Sequence, residues 1–121
     1  MPVVRSGDLA FRQLSGRLSA DPLPAGTGGD YSVRVVRIPP GPRTPHLHPH
    51  TDEVTFVVSG SGTAWEADTP TPVGPGDLLV VPREVPHATV ATGDTELVLL
   101  CFFPHPDLGA NIVELEGPLR H

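Results

Sequence analysis

Residues 46–60 read HLHPHTDEVTFVVSG, which is three histidines and a glutamate followed by an apolar run that ends in a glycine. Successive side chains of a strand point to opposite faces, so His46 and His48 project to the same side, about 6.6 Å apart at the backbone. Two imidazoles at that separation can bind one metal ion, and Glu53 can join them if the chain turns between His48 and the glutamate. The sequence therefore predicts a metal site at the start of this strand.

Composition limits the classes of protein to which the chain can belong. Its 121 residues are enough for one domain with a real core, and glycine and proline, at 13 and 16 residues, separate β-type runs. The net charge is −6, and all eight cationic residues are arginines that form no basic stripe, so we do not expect nucleic acid as a partner. Because lysine is absent, Schiff-base catalysis and a P-loop are excluded.

The sequence also gives no sign of a membrane-bound or disulfide-bonded protein. No stretch approaches the roughly 20 apolar residues of a membrane span, and the N-terminus lacks the layout of a signal peptide. We therefore expect a cytoplasmic protein with no membrane partner. Cys101 is the only cysteine and lies within LVLLCFF at 97–103, so we expect a buried core thiol and not a nucleophile.

Hydrophobic alternation and turn residues divide the chain into about eight or nine short strands. We expect strands at 31–38, 47–48, 53–58, 63–67, 78–81, 87–91 and 96–103, and an exterior one at 111–115. We expect loops at 21–30, 39–45 and 69–76, and a short strand and a turn at 8–11 and 13–14. Since no segment of useful length has a helical period, the pattern predicts one all-β domain, a sandwich or a barrel.

A second segment adds a fourth candidate ligand. Residues 76–87 read GDLLVVPREVPH and place His87 directly after a tight turn. Three neutral imidazoles and one carboxylate form a donor set that suits Fe, Mn, Ni, Cu, Co or Zn. The carboxylate distinguishes this set from closed, cysteine-rich structural zinc sites, and such a site usually keeps positions open for water or substrate.

The first segment resembles the first motif of the cupin superfamily. That motif is a glycine, a short spacer, His-x-His, three or four residues, a glutamate, six residues and a glycine. The matching residues are Gly41, His46, His48, Glu53 and Gly60, with the leading spacer one residue short.

The second segment is similar to the second cupin motif, which is Gly, five residues, Pro-x-Gly, two residues, His, three residues and Asn. Gly76, Pro82 and His87 match it. Glu84 stands where the second glycine is usual, and Ala91 stands where the asparagine is usual. Neither departure removes a metal ligand.

The resemblance implies a cupin double-stranded β-helix, a jelly-roll-like barrel. Its core would span about 31–103 within a single domain of residues 1–121, with exterior segments at both ends. By the same resemblance, one divalent transition metal binds inside the barrel to His46, His48, Glu53 and His87. Cupins of this size commonly pair by sheet-to-sheet packing, so we also expect a homodimer.

Several residues keep more than one interpretation. His50 is a solvent-facing turn residue, or it replaces a ligand in an alternative register with His48, or it acts beside the ligands as a proton shuttle. We interpret His105 and His121 as non-ligands. Arg34 suits an anionic substrate if it faces the barrel. The residues that line or flank the barrel, and support the metal ligands, contact a substrate or simply pack, are Tyr31, Arg34, Thr55, Trp65 and Phe102.

The resemblance leaves three kinds of function open, because one fold supports many chemistries. The metal acts as a Lewis acid on a small organic molecule, in isomerase, cyclase or lyase-type chemistry. Alternatively, an iron or similar centre activates dioxygen, as in a dioxygenase, or the barrel binds a small ligand without turnover. The segment FPHPDLG at 103–109 is similar to the tail of small bacterial cupins of aromatic polyketide pathways, which include polyketide cyclases, and it favours the first kind.

Overall fold

The computed structural model describes residues 1–121 as eleven strands in two sheets, with one 3-10 turn at Ser6–Asp8. The strands are β1 (Arg12–Leu14), β2 (Arg17–Ala20), β3 (Ser32–Ile38), β4 (His46–Leu47), β5 (Glu53–Ser59), β6 (Gly62–Glu66), β7 (Thr69–Val73), β8 (Leu78–Val81), β9 (His87–Ala91), β10 (Leu97–Phe103) and β11 (Val113–Glu114). The all-β prediction is confirmed. No helix has the length and apolar character needed to cross a membrane.

The larger sheet has six antiparallel strands in the order β1-β2-β3-β10-β5-β8. Strand β10 shows why the chain folds this way, because Leu97, Leu99, Cys101 and Phe103 point inward and are buried, whereas the residues between them face outward. This alternation has the period of a strand with one face on a core. The smaller sheet has the order β11-β4-β9-β6-β7 and closes the other side of the barrel.

The barrel interior changes in character along β5. The first inward side chains are Glu53 and Thr55, and the next is Val57, which is fully buried. Apolar residues from β3, β9 and β10 surround Val57 and form the core cluster, which comprises Val36, Ile38, Val57, Ala91, Leu97, Leu99, Cys101, Phe103 and Leu108. The half of the barrel interior around the start of β5 is therefore polar, and the candidate ligands meet there.

Gly60 directly follows β5, at a position that only a residue without a side chain can occupy. Its φ is +83°, a conformation that glycine adopts without a steric penalty. A Cβ at this position would also collide with the main chain of Glu96 and Leu97. The glycine that closes the first motif thus lets β5 turn directly beside β10.

The predicted loop at 69–76 is partly wrong, because residues 69–73 form β7 despite Pro70 and Pro72. Strand β7 pairs only with β6 and is the edge of its sheet. A proline lacks the N–H that a central strand needs, but an edge strand can leave that position unpaired. Proline content therefore indicated a loop where the tertiary structure has an edge strand.

The N-terminal prediction is also wrong. A 3-10 turn occupies residues 6–8, no strand forms at 8–11, and a hairpin of β1 and β2 follows. Strand β2 lacks an apolar-inward pattern, because Arg17 and Ser19 are buried although both are polar. A strand whose buried residues include polar ones has no hydrophobic alternation, so it cannot be predicted from that pattern.

Candidate metal centre

The four predicted ligands meet inside the barrel although they come from three parts of the chain. His46 lies on β4, opposite His87 at the start of β9, and Glu53 begins β5. His48 follows β4 two residues after His46. All four residues are buried, and one potential ligand atom from each lies within 4.8 Å of those of the others. The set is thus compact enough to hold one metal ion.

Main-chain carbonyls orient two of the imidazoles. Nδ1 of His48 lies 2.8 Å from the carbonyl oxygen of Asn111, and Nδ1 of His87 lies 3.0 Å from that of Val85. Because a carbonyl only accepts, each Nδ1 must donate, which leaves Nε2 of a neutral ring free to bind a cation. These Nε2 atoms lie 3.0 and 3.4 Å from Oε1 of Glu53.

The donor set fits a metal ion on physical grounds. When both rings are neutral, these two nitrogens and the carboxylate oxygen are all acceptors, so a cation between them satisfies them better than they satisfy each other. Nε2 of His87 and Nδ1 of His46 are in fact buried without a hydrogen-bond partner. Such buried unpaired atoms cost about 1–3 kcal/mol each. Imidazole and carboxylate together suit a divalent transition metal.

The charge states of the cluster also suit metal binding. Burial alone raises the pKa of Glu53, but the adjacent imidazoles of His48 and His87 and the hydroxyl of Thr55 outweigh it and hold that pKa well below its ordinary value. Burial, and then the neighbouring His87, lower the pKa of His46 well below its ordinary value. An ionised carboxylate and a neutral imidazole are the forms that bind metals.

Thr55, which the sequence offered either as a support for the ligands or as a substrate contact, lies against Glu53. Its Oγ1 donates a hydrogen bond to Oε2 of the carboxylate, and the residue is 1% exposed. This contact occupies the outer oxygen and leaves Oε1 facing the imidazoles. The sequence placed Thr55 on the inward face of β5 but did not reveal this partner.

The structure separates the remaining predicted substrate residues into two groups. Arg34 lines the barrel cavity, and Trp65 borders it while its ring packs against the guanidinium of Arg120. Tyr31 and Phe102 do neither, because Phe102 lies between the inward residues of β10 and therefore faces outward. It packs against Tyr31 with ring centroids 5.9 Å apart. Both are thus part of the outer surface, where they flank the barrel and pack against each other instead of contacting a substrate.

His50 lies outside the ligand cluster. Its side chain is exposed, and its main-chain N–H donates to Oδ1 of Asn111 at 2.8 Å. Asn111 thus contacts the chain at both of the histidines that the sequence offered as ligands. Its carbonyl orients His48 inward, while its side chain holds the turn that carries His50 outward. His105 and His121 are not part of the cluster either.

A cavity of about 400 Å³ adjoins the cluster. Part of its wall is apolar, from residues that include Val36, Leu79, Val81, Leu99, Phe103 and Ile112. Cys101 also lines it, and burial raises the pKa of its thiol, so it remains protonated as expected for a core cysteine. A cavity of this size and character is typical of a small-molecule site.

Sequence reasoning missed three polar residues at this site: Arg17, Arg43 and Asn111. Each is buried, at 6%, 4% and 1% exposure. Arg17 lies on the unrecognised strand β2, Arg43 lies in the proline-rich loop, and Asn111 lies in a segment expected to be exterior. No local pattern marks them, because their burial depends on strands that are distant in the chain.

The fold and the site together define a cupin, and this chain belongs to the cupin family. The family profile described as "Cupin domain" matches residues 34–103, which span from β3 to β10 and include the four candidate ligands. The predicted cupin fold is therefore confirmed.

One relative and two solved structures are similar to this chain. The chain is 38% identical to Protein SchB of Streptomyces halstedii over 94 residues, which cover 73% of this chain and 67% of that protein. A predicted oxalate decarboxylase from Thermotoga maritima has a TM-score of 0.76 at 21% identity, covering 86% of this chain and 99% of its own. Pac13, a nucleoside dehydratase from Streptomyces, has a TM-score of 0.76 at 14% identity, covering 95% and 91%. At these identities the two structures support the fold.

Proposed function

We propose that this protein is a metal-dependent enzyme that acts on a small organic molecule in the barrel, with the metal as a Lewis acid in isomerase, cyclase or lyase-type chemistry. The observation that carries this proposal is the buried cluster of His46, His48, Glu53 and His87 at the wall of a cavity of about 400 Å³. Two of the matching structures are described as a predicted oxalate decarboxylase and a nucleoside dehydratase, and both names denote lyase-type reactions in those proteins.

The chain's own residues prepare the site for such chemistry. When bound, a divalent ion polarises a carbonyl or enolate oxygen of the substrate. His48 and His87 present Nε2 because their Nδ1 atoms donate to carbonyls, and Thr55 holds Glu53 with Oε1 toward them. Apolar side chains form part of the cavity wall, and the lower local dielectric beside them strengthens electrostatic interactions in the site.

Glu66 is a carboxylate outside the ligand set that can move a proton. It lies directly opposite His87 in the pairing of β6 with β9, and it lines the same cavity. Opposite residues in an antiparallel pair share a face of the sheet. We propose Glu66 as the general base or acid that works beside the metal.

The first experiment measures metal content. Protein purified without chelators should contain about one transition-metal ion per chain by elemental analysis. His48→Ala should remove it, whereas the neighbouring variant His50→Ala should retain it. A site that stays empty after incubation with Fe, Mn, Ni and Zn would refute the proposal, and loss of metal in His50→Ala alone would show that the ligand assignment is wrong.

The second experiment measures turnover. Exchange of protons next to the carbonyl groups of β-keto acids and β-diketones in deuterated water, followed by NMR, reports directly on enolate stabilisation. We expect exchange that requires metal and proceeds equally without oxygen. Oxygen consumption coupled to substrate loss would instead support the dioxygenase. Tight binding without exchange or turnover would support a non-catalytic binding protein.

We also propose that the protein forms a homodimer through the outer face of its larger sheet. Strand register aligns two outward rows across β3, β10, β5 and β8. The rows are Val33, Phe102, Val54 and Val80, and Val35, Leu100, Phe56 and Leu78. These two rows contain no charged residue, a contiguous apolar patch of this kind is typical of an interface, and a second copy presents the same patch.

Light scattering tests the homodimer. The wild-type chain should have the mass of two copies, and Phe56→Glu should convert it to one copy because it places a charge at the centre of the face. Leu119→Glu is the matched control, since Leu119 is a similarly exposed apolar residue elsewhere on the surface. A monomeric wild type would refute the proposal.

A further inference from the structure

Arginines are concentrated around the cavity. Of the eight cationic residues in a chain with a net charge of −6, four line this one cavity: Arg12, Arg17, Arg34 and Arg43. Arg17 is paired with Glu114 at 3.1 Å, and Arg34 lies 3.5 Å from Asp21. Arg12 and Arg43 have no acidic partner within 4.0 Å. The cavity therefore contains positive charge that the protein itself leaves unpaired.

Arg43 is the least satisfied of the four. Its side chain is 4% exposed, and Nη1 donates to the carbonyl oxygen of Thr89 at 2.7 Å. Nε and Nη2 are buried without any partner. Those two atoms form the side-on edge of the guanidinium, the pair of parallel donors that matches the two oxygens of a carboxylate.

The surrounding chain holds this arginine in place. The main chain of Arg43 pairs with that of Arg120 through two hydrogen bonds of 2.9 and 2.8 Å. Gly16, in the turn between β1 and β2, lies over its side chain, and a Cβ there would come within 3.1 Å of Nε. Burial, and then Arg17, lower the pKa of Arg43 to about 10, so the group is still charged at neutral pH. A buried charge with free donors is unfavourable unless an anion binds it.

We infer that Arg43 is the receptor for a carboxylate group of the substrate, in a subsite of the barrel cavity beside the metal ligands. Arg12 adds a second unpaired positive charge at the cavity, and the apolar part of the wall accommodates the rest of the molecule. The inference deepens the proposed function by naming the substrate class, a small organic acid, and it rests on that function for the role of the metal. Carboxylate binding by Arg43 does not itself require the metal.

Calorimetry with benzoate and its neutral isostere benzamide tests the subsite. In metal-free full-length protein, we expect benzoate to bind at least about tenfold more tightly than benzamide, because only benzoate forms the charge-assisted pair. Equal binding of the two in the wild-type protein would overturn the inference without any variant.

Variants then identify the residue. Arg43→Gln should weaken benzoate at least about tenfold and leave benzamide unchanged, and Arg43→Lys should restore only part of the loss because a lysine has no side-on edge. Arg5→Gln is the control for net charge, since Arg5 is exposed and unpaired. Unchanged benzoate affinity in Arg43→Gln would overturn the assignment.

Zinc titration separates this inference from the proposed function. If no zinc binds but benzoate binding still depends on Arg43, the metal proposal fails and the carboxylate subsite stands. If zinc binds with full occupancy and Arg43→Gln has no effect on benzoate, the subsite fails and the metal proposal stands.

Discussion

Removal of the Thr55 hydroxyl should lower both the stability of the fold and the affinity for metal. Thr55→Val keeps the shape of the side chain but removes the donor to Oε2 of Glu53. Both residues are buried, at 1% and 7% exposure, so water cannot replace the lost bond. A hydrogen bond to a buried charged group contributes about 1.5–3 kcal/mol. We expect the free energy of unfolding of the metal-free protein to fall by that amount, with a drop in Tm of roughly 6–12 °C.

The loss should depend on pH in a defined direction. The folded protein holds the pKa of Glu53 below its ordinary value of 4.5. A depressed carboxyl pKa stabilises the folded state above the unfolded pKa, and this stabilisation disappears as the pH falls through the folded pKa. The difference between wild type and Thr55→Val should therefore be largest at neutral pH and shrink below about pH 4.5.

Metal affinity should fall at the same time. Without the hydroxyl, the carboxylate is free to rotate, and loss of such a supporting contact typically weakens metal binding 10–100-fold. Urea unfolding at several pH values and zinc titration against a competing chelator measure the two effects. Thr51→Val is the matched control, because Thr51 is equally buried and its hydroxyl bonds to Asp52 instead of to a ligand. The reasoning is refuted if Thr55→Val matches the wild type in both assays, or if Thr51→Val loses as much metal affinity.

Three further variants test other parts of the site. Glu84 has a φ of +68°, so Glu84→Gly should raise the free energy of unfolding by up to about 1 kcal/mol in urea unfolding, whereas Arg83→Gly in the same turn should lower it. Asn111→Ala should weaken zinc roughly tenfold in the chelator competition assay, because it frees the turn that follows His48; unchanged affinity would show that the carbonyl contact suffices. The Cys101 thiol should react with a thiol reagent only in denaturant, because it is buried and its pKa is raised, and reaction of the native protein would contradict that assignment.

Most strands of the barrel could be predicted because each carries its own local signal. Strands β8 and β9 occupy the residues predicted for them, since an apolar run and an alternating run are bounded by Pro82 and Pro86. Strands β7 and β2 could not be predicted. In β7 the prolines are tolerated because it lies at a sheet edge, and in β2 the two buried residues that face the cavity, Arg17 and Ser19, are polar.

The sequence by itself determined the candidate ligands. Two short motifs identify the candidate ligands. A strand alternates its faces, which makes the spacing of His46 and His48 meaningful, and a turn has a characteristic composition, which marks the positions of Glu53 and His87. The sequence left open whether His48 or His50 faces inward, because the two histidines flank Pro49 and have the same side-chain chemistry.

Only the tertiary structure decided what surrounds those ligands. Asn111, 63 residues beyond His48, supplies the carbonyl that orients it, and Thr89, 46 residues beyond Arg43, supplies the single acceptor for that buried arginine. Such contacts join residues that no local pattern connects, because the closure of the barrel brings them together. The candidate metal ligands are therefore readable from the chain, whereas the charge and shape of the cavity beside them exist only after folding.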